Sequence, residues 1–182
     1  MEKVWISLLS VAGGALLGGV INALIGRYAA FKESQGVAGA LSAEIGSLLE
    51  LVKVRQYKPQ LDQIVGRLSV STNAPTTDDI FRARIKHDYF TVFNATCSRI
   101  GTLGPLASQV VHFYAVGKTF LEDVAELREL CERVTTSQAI LDRATLLGIS
   151  RAARHFLSWI ETEGPQVVQR LNEYSARRWL QR

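Results

Sequence analysis

An uncharged stretch from Val4 to Gly26 lies at the start of the chain, and beyond it apolar residues recur at three-four spacing among charged ones almost to the end. As a helix, the uncharged stretch rises about 34 Å, enough to cross a hydrocarbon layer of about 30 Å. Trp5 lies near one edge and Arg27 with Tyr28 at the other, side chains suited to headgroup level. The pattern predicts one N-terminal transmembrane helix.

Leu41, Ile45, Leu48 and Val52 then form a stripe, with polar Ser42, Glu44, Ser47 and Glu50 between them, as in an amphipathic helix. Gly36 and Gly39 each cost a helix roughly 1 kcal/mol relative to Ala, which predicts a loosened, hinge-like join to the membrane segment. Lys58-Pro59 ends this helix and begins another, with Leu61, Ile64, Val65 and Leu68 on one face. Ser71 to Asp79 reads as a protease-sensitive loop. A helix from Ile80 to Ile100 follows, its face set by Phe81, Ile85, Tyr89, Val92, Thr96 and Ile100 and widened by Phe90 and Phe93.

Gly101, Gly104 and Pro105 punctuate the chain before a heptad seam of Leu106, Val110, Phe113, Gly117, Phe120, Val124, Leu127, Cys131 and Val134. Val111, Tyr114 and Leu121 broaden that seam, which favours the core of a bundle over a two-stranded coiled coil. The pairs Lys118 with Glu122, Arg128 with Glu132 and Glu129 with Arg133 mark its solvent side. From about Thr136 a further helix carries Ile140, Leu147, Phe156 and Trp159 and is broken at Gly164-Pro165. A last helix presents Val167, Leu171 and Tyr174. No period-two alternation or internal repeat interrupts this reading, so the predicted fold class is all-α. Residues 1–27 form a transmembrane anchor and residues 28–182 a helical bundle domain.

Within the uncharged stretch, Ser10, Gly14, Gly18, Asn22 and Gly26 recur every four residues, with Ala15, Gly19 and Ala23 in an adjacent row. Lipid tails give helix pairing no hydrophobic reward, so close backbone approach over such a flat face is a principal means of association. Asn22 adds an interhelical hydrogen-bonding group. This face predicts a homo-oligomer.

Charge refines the picture modestly. There are 21 Lys and Arg against 17 Asp and Glu, a net charge of +4, but the signs are interleaved as on a solvated helical surface, and no nucleic-acid partner is expected. The excess is clearest at the end, where Arg170, Arg177, Arg178 and Arg182 surround Trp179, and there any attraction to anionic lipid or a protein partner should be sought. Arg27, Lys32, Lys53, Arg55 and Lys58 follow the span while only Lys3 precedes it, which places the domain in the cytoplasm and the N-terminus outside a single-pass inner membrane. Cys97 and Cys131 read as reduced core thiols. The rival reading, an exported protein that loses its N-terminus, predicts a Cys97–Cys131 disulfide, but no convincing cleavage site follows the apolar run.

His87, His112 and His155 are isolated, and none has a His or Cys at i+3 or i+4 to complete a metal pair. His87-Asp88 are adjacent helical positions that point apart. Gly101-Thr102-Leu103-Gly104 lacks the lysine of a phosphate-binding loop, and no nucleophile elbow or dinucleotide fingerprint is present. Neither cofactor nor metal is predicted, and an enzyme is unsupported. The Val4-to-Gly26 span, the Leu41-to-Val52 stripe and the Phe-rich segment before Gly104 resemble small bacterial inner-membrane proteins with a helical cytosolic domain, a class of uncharacterised function. The resemblance is architectural and supplies no site residue. The sequence therefore leads to a membrane-anchored helical interaction module. The alternatives are a membrane-acting bacterial effector in defence or growth arrest, and an enzyme whose groups converge only in three dimensions.

Overall fold

The computed structural model describes residues 2–70, 89–137 and 143–177, with side chains from residues 16–70, 89–130 and 143–177. The fold is all-α: a helical bundle of α1 (Glu2–Val54), α2 (Tyr57–Val70), α3 (Thr91–Thr96), a 3₁₀ segment (Cys97–Leu103), α4 (Leu106–Ser137) and α5 (Arg143–Ser175). The Ser71-to-Asp79 loop and Ile140 lie outside the described residues.

The spine is α5, which packs against α1, α2 and α4. Its buried positions are Leu146, Ser150, Ala153, Leu157, Ile160, Gly164, Val167, Leu171 and Tyr174, an unbroken alternation of four and three. The break expected at Gly164-Pro165 does not occur, and the helix runs straight through Pro165. The proline forfeits one backbone bond, at about 3 kcal/mol in an exposed helix. Here Ile160 and Val167 are held in the core on either side, and their burial offsets that loss.

Polar ties show how α1 and α2 follow α5. Ser42 Oγ donates to Asn172 Oδ1 at 2.7 Å and Lys58 Nζ to Glu161 Oε2 at 3.0 Å. Arg154 pairs with Asp62, and Arg143 donates to the Leu68 carbonyl, one of the acceptors left open at the end of α2. Residue numbers therefore rise along α1 and α2 as they fall along α5. Both run antiparallel to it, joined by a short jog at Gln56, whose φ of 51° is the left-handed conformation that ends α1. Pro59 falls in the first turn of α2, where no backbone donor is lost, and Leu61, Ile64, Val65 and Leu68 are buried as the pattern predicts.

The hinge expected at Gly36 and Gly39 is likewise absent, because α1 is one continuous helix. Val37, Ala38, Leu41 and Ile45 are buried, and packing of this stripe outweighs the propensity cost of two glycines. The polar side of the stripe is only partly solvent-facing: Ser47 and Glu50 are exposed, but Ser42 is buried and Glu44 half-buried.

The helix expected from Ile80 to Ile100 is described only from Tyr89, as the short α3 followed by the 3₁₀ segment. Thr96 Oγ1 donates back to the Val92 carbonyl at 2.7 Å, and the turn then tightens. Ile100 and Leu103, three apart, are buried, whereas Cys97 is an exposed free thiol. The expectation of a core thiol fails there because the change of pitch at Cys97 ends the α-helical face; Cys131 has no described side chain.

Gly104, at φ 59°, makes the turn into α4. The α4 seam is buried at Val110, Phe113, Gly117, Phe120, Val124 and Leu127 and faces its own chain, as a bundle core does. Cys131 and Val134, at its end, lie outside the described side chains. Lys118 and Glu122 do meet, at 3.9 Å on the surface.

Helices α1, α4 and α5 meet at Gly164. A Cβ built there would lie 2.6 Å from Leu49 Cδ2 and 3.2 Å from Phe113 Cε2. Gly164→Val is expected to destabilise the bundle by about 1–3 kcal/mol through overpacking. Gly148, exposed on the same helix with nothing within 4 Å, should behave oppositely, Gly148→Ala gaining about 0.5–1 kcal/mol from helix propensity. Thermal unfolding of the full chain in mild detergent, followed by circular dichroism, measures both; equal shifts would contradict the close approach.

Candidate functional site

The feature that the bundle leaves unused is the lower part of α1. From Leu16 to Ala30 every residue is exposed except half-buried Gly18, although as far as Ile25 the large aliphatic side chains predominate: Leu16 is 72% exposed, Leu17 67% and Ile25 60%. Core burial begins at Phe31. At 100° per residue, Leu16, Leu17, Val20, Ile21, Leu24 and Ile25 occupy one half of the helix, and Gly18, Gly19, Asn22, Ala23 and Gly26 the other. The second half is flat, and nothing lies within 4 Å of a Cβ built at Gly18, Gly19 or Gly26. Ser10 and Gly14, the other members of the four-residue row, lie outside the described side chains. Among the described residues no helix is long and apolar enough to cross a membrane. The uncharged stretch up to residue 15 falls outside the side chains described.

Of the C-terminal basic residues, Arg170 and Arg177 line different hollows. Arg170 is exposed beside Gln109, His112, Trp159 and Glu163, in a hollow between α4 and α5. Arg177 lies instead against the foot of α1, its guanidinium 5.5 Å from the Tyr174 ring centre. Arg178 and Trp179 lie outside the described residues.

No protein-family model, curated protein or solved structure matches the chain.

One polar centre inside the bundle escaped the sequence reading. The Glu44 carboxylate accepts the Val92 and Phe93 backbone N–H groups at 2.6 and 3.0 Å and the Tyr114 hydroxyl at 2.6 Å. These amides belong to the first turn of α3, whose N-cap residue Phe90 offers no capping side chain. A carboxylate from α1 thus performs the task that Ser, Thr or Asp usually performs locally. The Phe93 ring stacks on Tyr114 with centroids 4.0 Å apart. Burial, and then the hydrogen bond and charge of Glu44, push the Tyr114 phenol well above its usual range. A phenol held protonated on a fully engaged carboxylate is a structural clamp and a poor acid or nucleophile.

Other candidate chemistry stays dispersed. His112 is exposed, edge-on to Trp159 at 4.9 Å, and His155 is exposed; His87 lies outside the described residues. Among the described residues no group of His, Cys, Asp and Glu could hold a metal ion. Asp123 is held above its ordinary range by burial and by the nearby charges of Glu126 and Glu122, but it lines none of the hollows described.

Tyr114→Phe removes a hydrogen bond to a charged group and should cost about 1.5–3 kcal/mol. Its alkaline behaviour supplies a second check. The unfolded chain releases the phenolic proton near pH 10 while the folded chain retains it, so the contribution of Tyr114 is complete below pH 10 and declines above it. A pH series of thermal unfolding should show a shallower fall above pH 10 for Tyr114→Phe than for the parent chain; superimposable slopes would contradict the clamp.

Proposed function

We propose that the chain is a membrane-anchored helical interaction module that self-associates through the flat face of α1. The observation that carries this reading is the apolar half of α1 between Leu16 and Ile25, which is exposed among the described residues. Leaving a large aliphatic side chain in water costs about 1.5–3 kcal/mol relative to burying it. A bilayer removes that cost for all of them at once. The sequence N-terminal to Leu16 continues uncharged to Val4, and Tyr28 with Arg27 closes the stretch at the bundle side. The excess of Lys and Arg after the stretch supports an orientation with the bundle in the cytoplasm.

The opposite half of the same helix supports pairing. Its row of Gly18, Asn22 and Gly26 would let two backbones approach closely within lipid, and the bundle leaves this row open. Because α1 passes from this stretch into the core without a break, pairing of the spans would fix the rotation and spacing of the attached bundles. The module would thereby hold its copies in register, or present them together to a protein partner.

Membrane pellets of a bacterial host producing the full chain with a C-terminal tag are expected to retain it through alkaline carbonate. Protease should reach the tag only after spheroplasts are lysed. Release by carbonate would refute the anchor, and digestion in intact spheroplasts would reverse the orientation. Crosslinking in the same membranes is expected to capture oligomers that Gly14→Leu combined with Gly18→Leu abolishes; unchanged oligomers would refute association through this face.

A further inference from the structure

The foot of the bundle contains a hollow of about 340 Å³ between α1 and the end of α5, lined by Tyr28, Phe31, Lys32, Gln35 and residues 175–177. We propose that it binds the headgroup of an anionic phospholipid. The inference rests on the membrane reading of α1 and adds to it a ligand class and named contacts.

One side chain ties the two walls of the hollow together. The Gln35 carboxamide donates to the Ser175 carbonyl at 2.8 Å and to the Arg177 carbonyl at 2.6 Å, which pins the terminal turn of α5 to α1. Carbonyls at a helix end otherwise lack intrahelical partners. The pinned turn brings Arg177 to the same hollow as Lys32, which lies far away in sequence. Aromatic rings accompany both cations: Lys32 Nζ is 5.9 Å from the Tyr28 ring centre, and Arg177 is over Tyr174.

Charge complementarity identifies the occupant. Among the described residues no carboxylate lines the hollow. Glu33, the acid next to Lys32, is engaged by Arg99 at 3.0 Å, and Glu173 accepts from Gln169 at 2.9 Å. Two basic residues lining one hollow attract an anion, and ammonium and guanidinium groups both suit phosphate oxygens. Position then selects the source. Tyr28 and Lys32 follow Gly26 by two and six residues, about 3 and 9 Å further along the helix axis. The polar layer on each side of the hydrocarbon is about 5–8 Å deep, and a lysine side chain can reach back toward it. A lipid phosphate at the end of the span therefore lies within reach of both cations. A zwitterionic choline headgroup would bring its own cation against them.

The full chain in mild detergent, titrated with short-chain phosphatidylglycerol or phosphatidylcholine and followed by native mass spectrometry, tests the assignment. Phosphatidylglycerol is expected to be retained preferentially. Lys32→Gln and Arg177→Gln should each reduce that preference about fivefold, in keeping with the contribution of one basic side chain near an anionic surface. Lys32→Arg should preserve it, and Arg170→Gln, in a different hollow, should leave it unchanged. Unaltered helicity by circular dichroism separates these effects from misfolding. Equal retention of both lipids, or a preference insensitive to Lys32 and Arg177, would overturn the proposal. So would inorganic phosphate displacing phosphatidylglycerol at equal concentration, since the site would then take a soluble anion. Carbonate extraction of the same variants keeps the two readings apart. A chain that stays in the membrane without lipid preference fails only here, whereas a chain released by carbonate loses the anchor as well.

Discussion

At Gly164 the missing side chain lets α1, α4 and α5 approach one another, with Leu49 and Phe113 filling the space that a Cβ would need. The remainder of the bundle is arranged around that contact. It sets where α1 crosses α5, and so places Ser42 against Asn172 and Gln35 against the end of α5. It also keeps α5 whole. With the helix wedged between two neighbours, Ile160 and Val167 remain on one buried face across Pro165. Core packing near crystal density leaves little room for a different crossing.

The Glu44 clamp complements this apolar contact. Short α3 has no capping side chain of its own, and an isolated turn of that length would not persist in water. One carboxylate from α1 supplies the acceptors and also takes the Tyr114 hydroxyl from α4. Helices α3 and α4 are thereby tied through one residue to α1, which is distant in sequence. Such a partly buried network stabilises when its members are satisfied, and the Phe93 ring stacked on Tyr114 packs against it.

Both features bear on the proposed function because they fix α1 along its inner half. The outer half belongs to the same uninterrupted helix and leaves the bundle with its apolar side chains uncovered. On the proposed reading, this continuous connection would carry orientation from the uncovered stretch into the bundle. The hollow between Lys32 and Arg177 lies at the transition, where Gln35 joins the first helix to the last.

The sequence by itself determined the all-α class, the inward stripe of α2, most of the seam of α4 and the uncharged stretch with its flat row, because these are periodicities of large apolar or very small residues along one helix. The tertiary structure alone decided the course of α5. Its seam contains Ser150, Ala153 and Gly164, which do not register as hydrophobic, so an unbroken heptad looked weak and Gly164-Pro165 looked like its end. The same holds for Gly36 and Gly39, whose helix-breaking tendency was real but smaller than the burial of Val37, Ala38 and Leu41 beside them. Glu44 and the pairing of Lys32 with Arg177 around one hollow had no linear signal. A capping bond or a charged pocket between residues far apart in the chain depends on how helices cross, and that is set by side-chain volume at contacts such as Gly164.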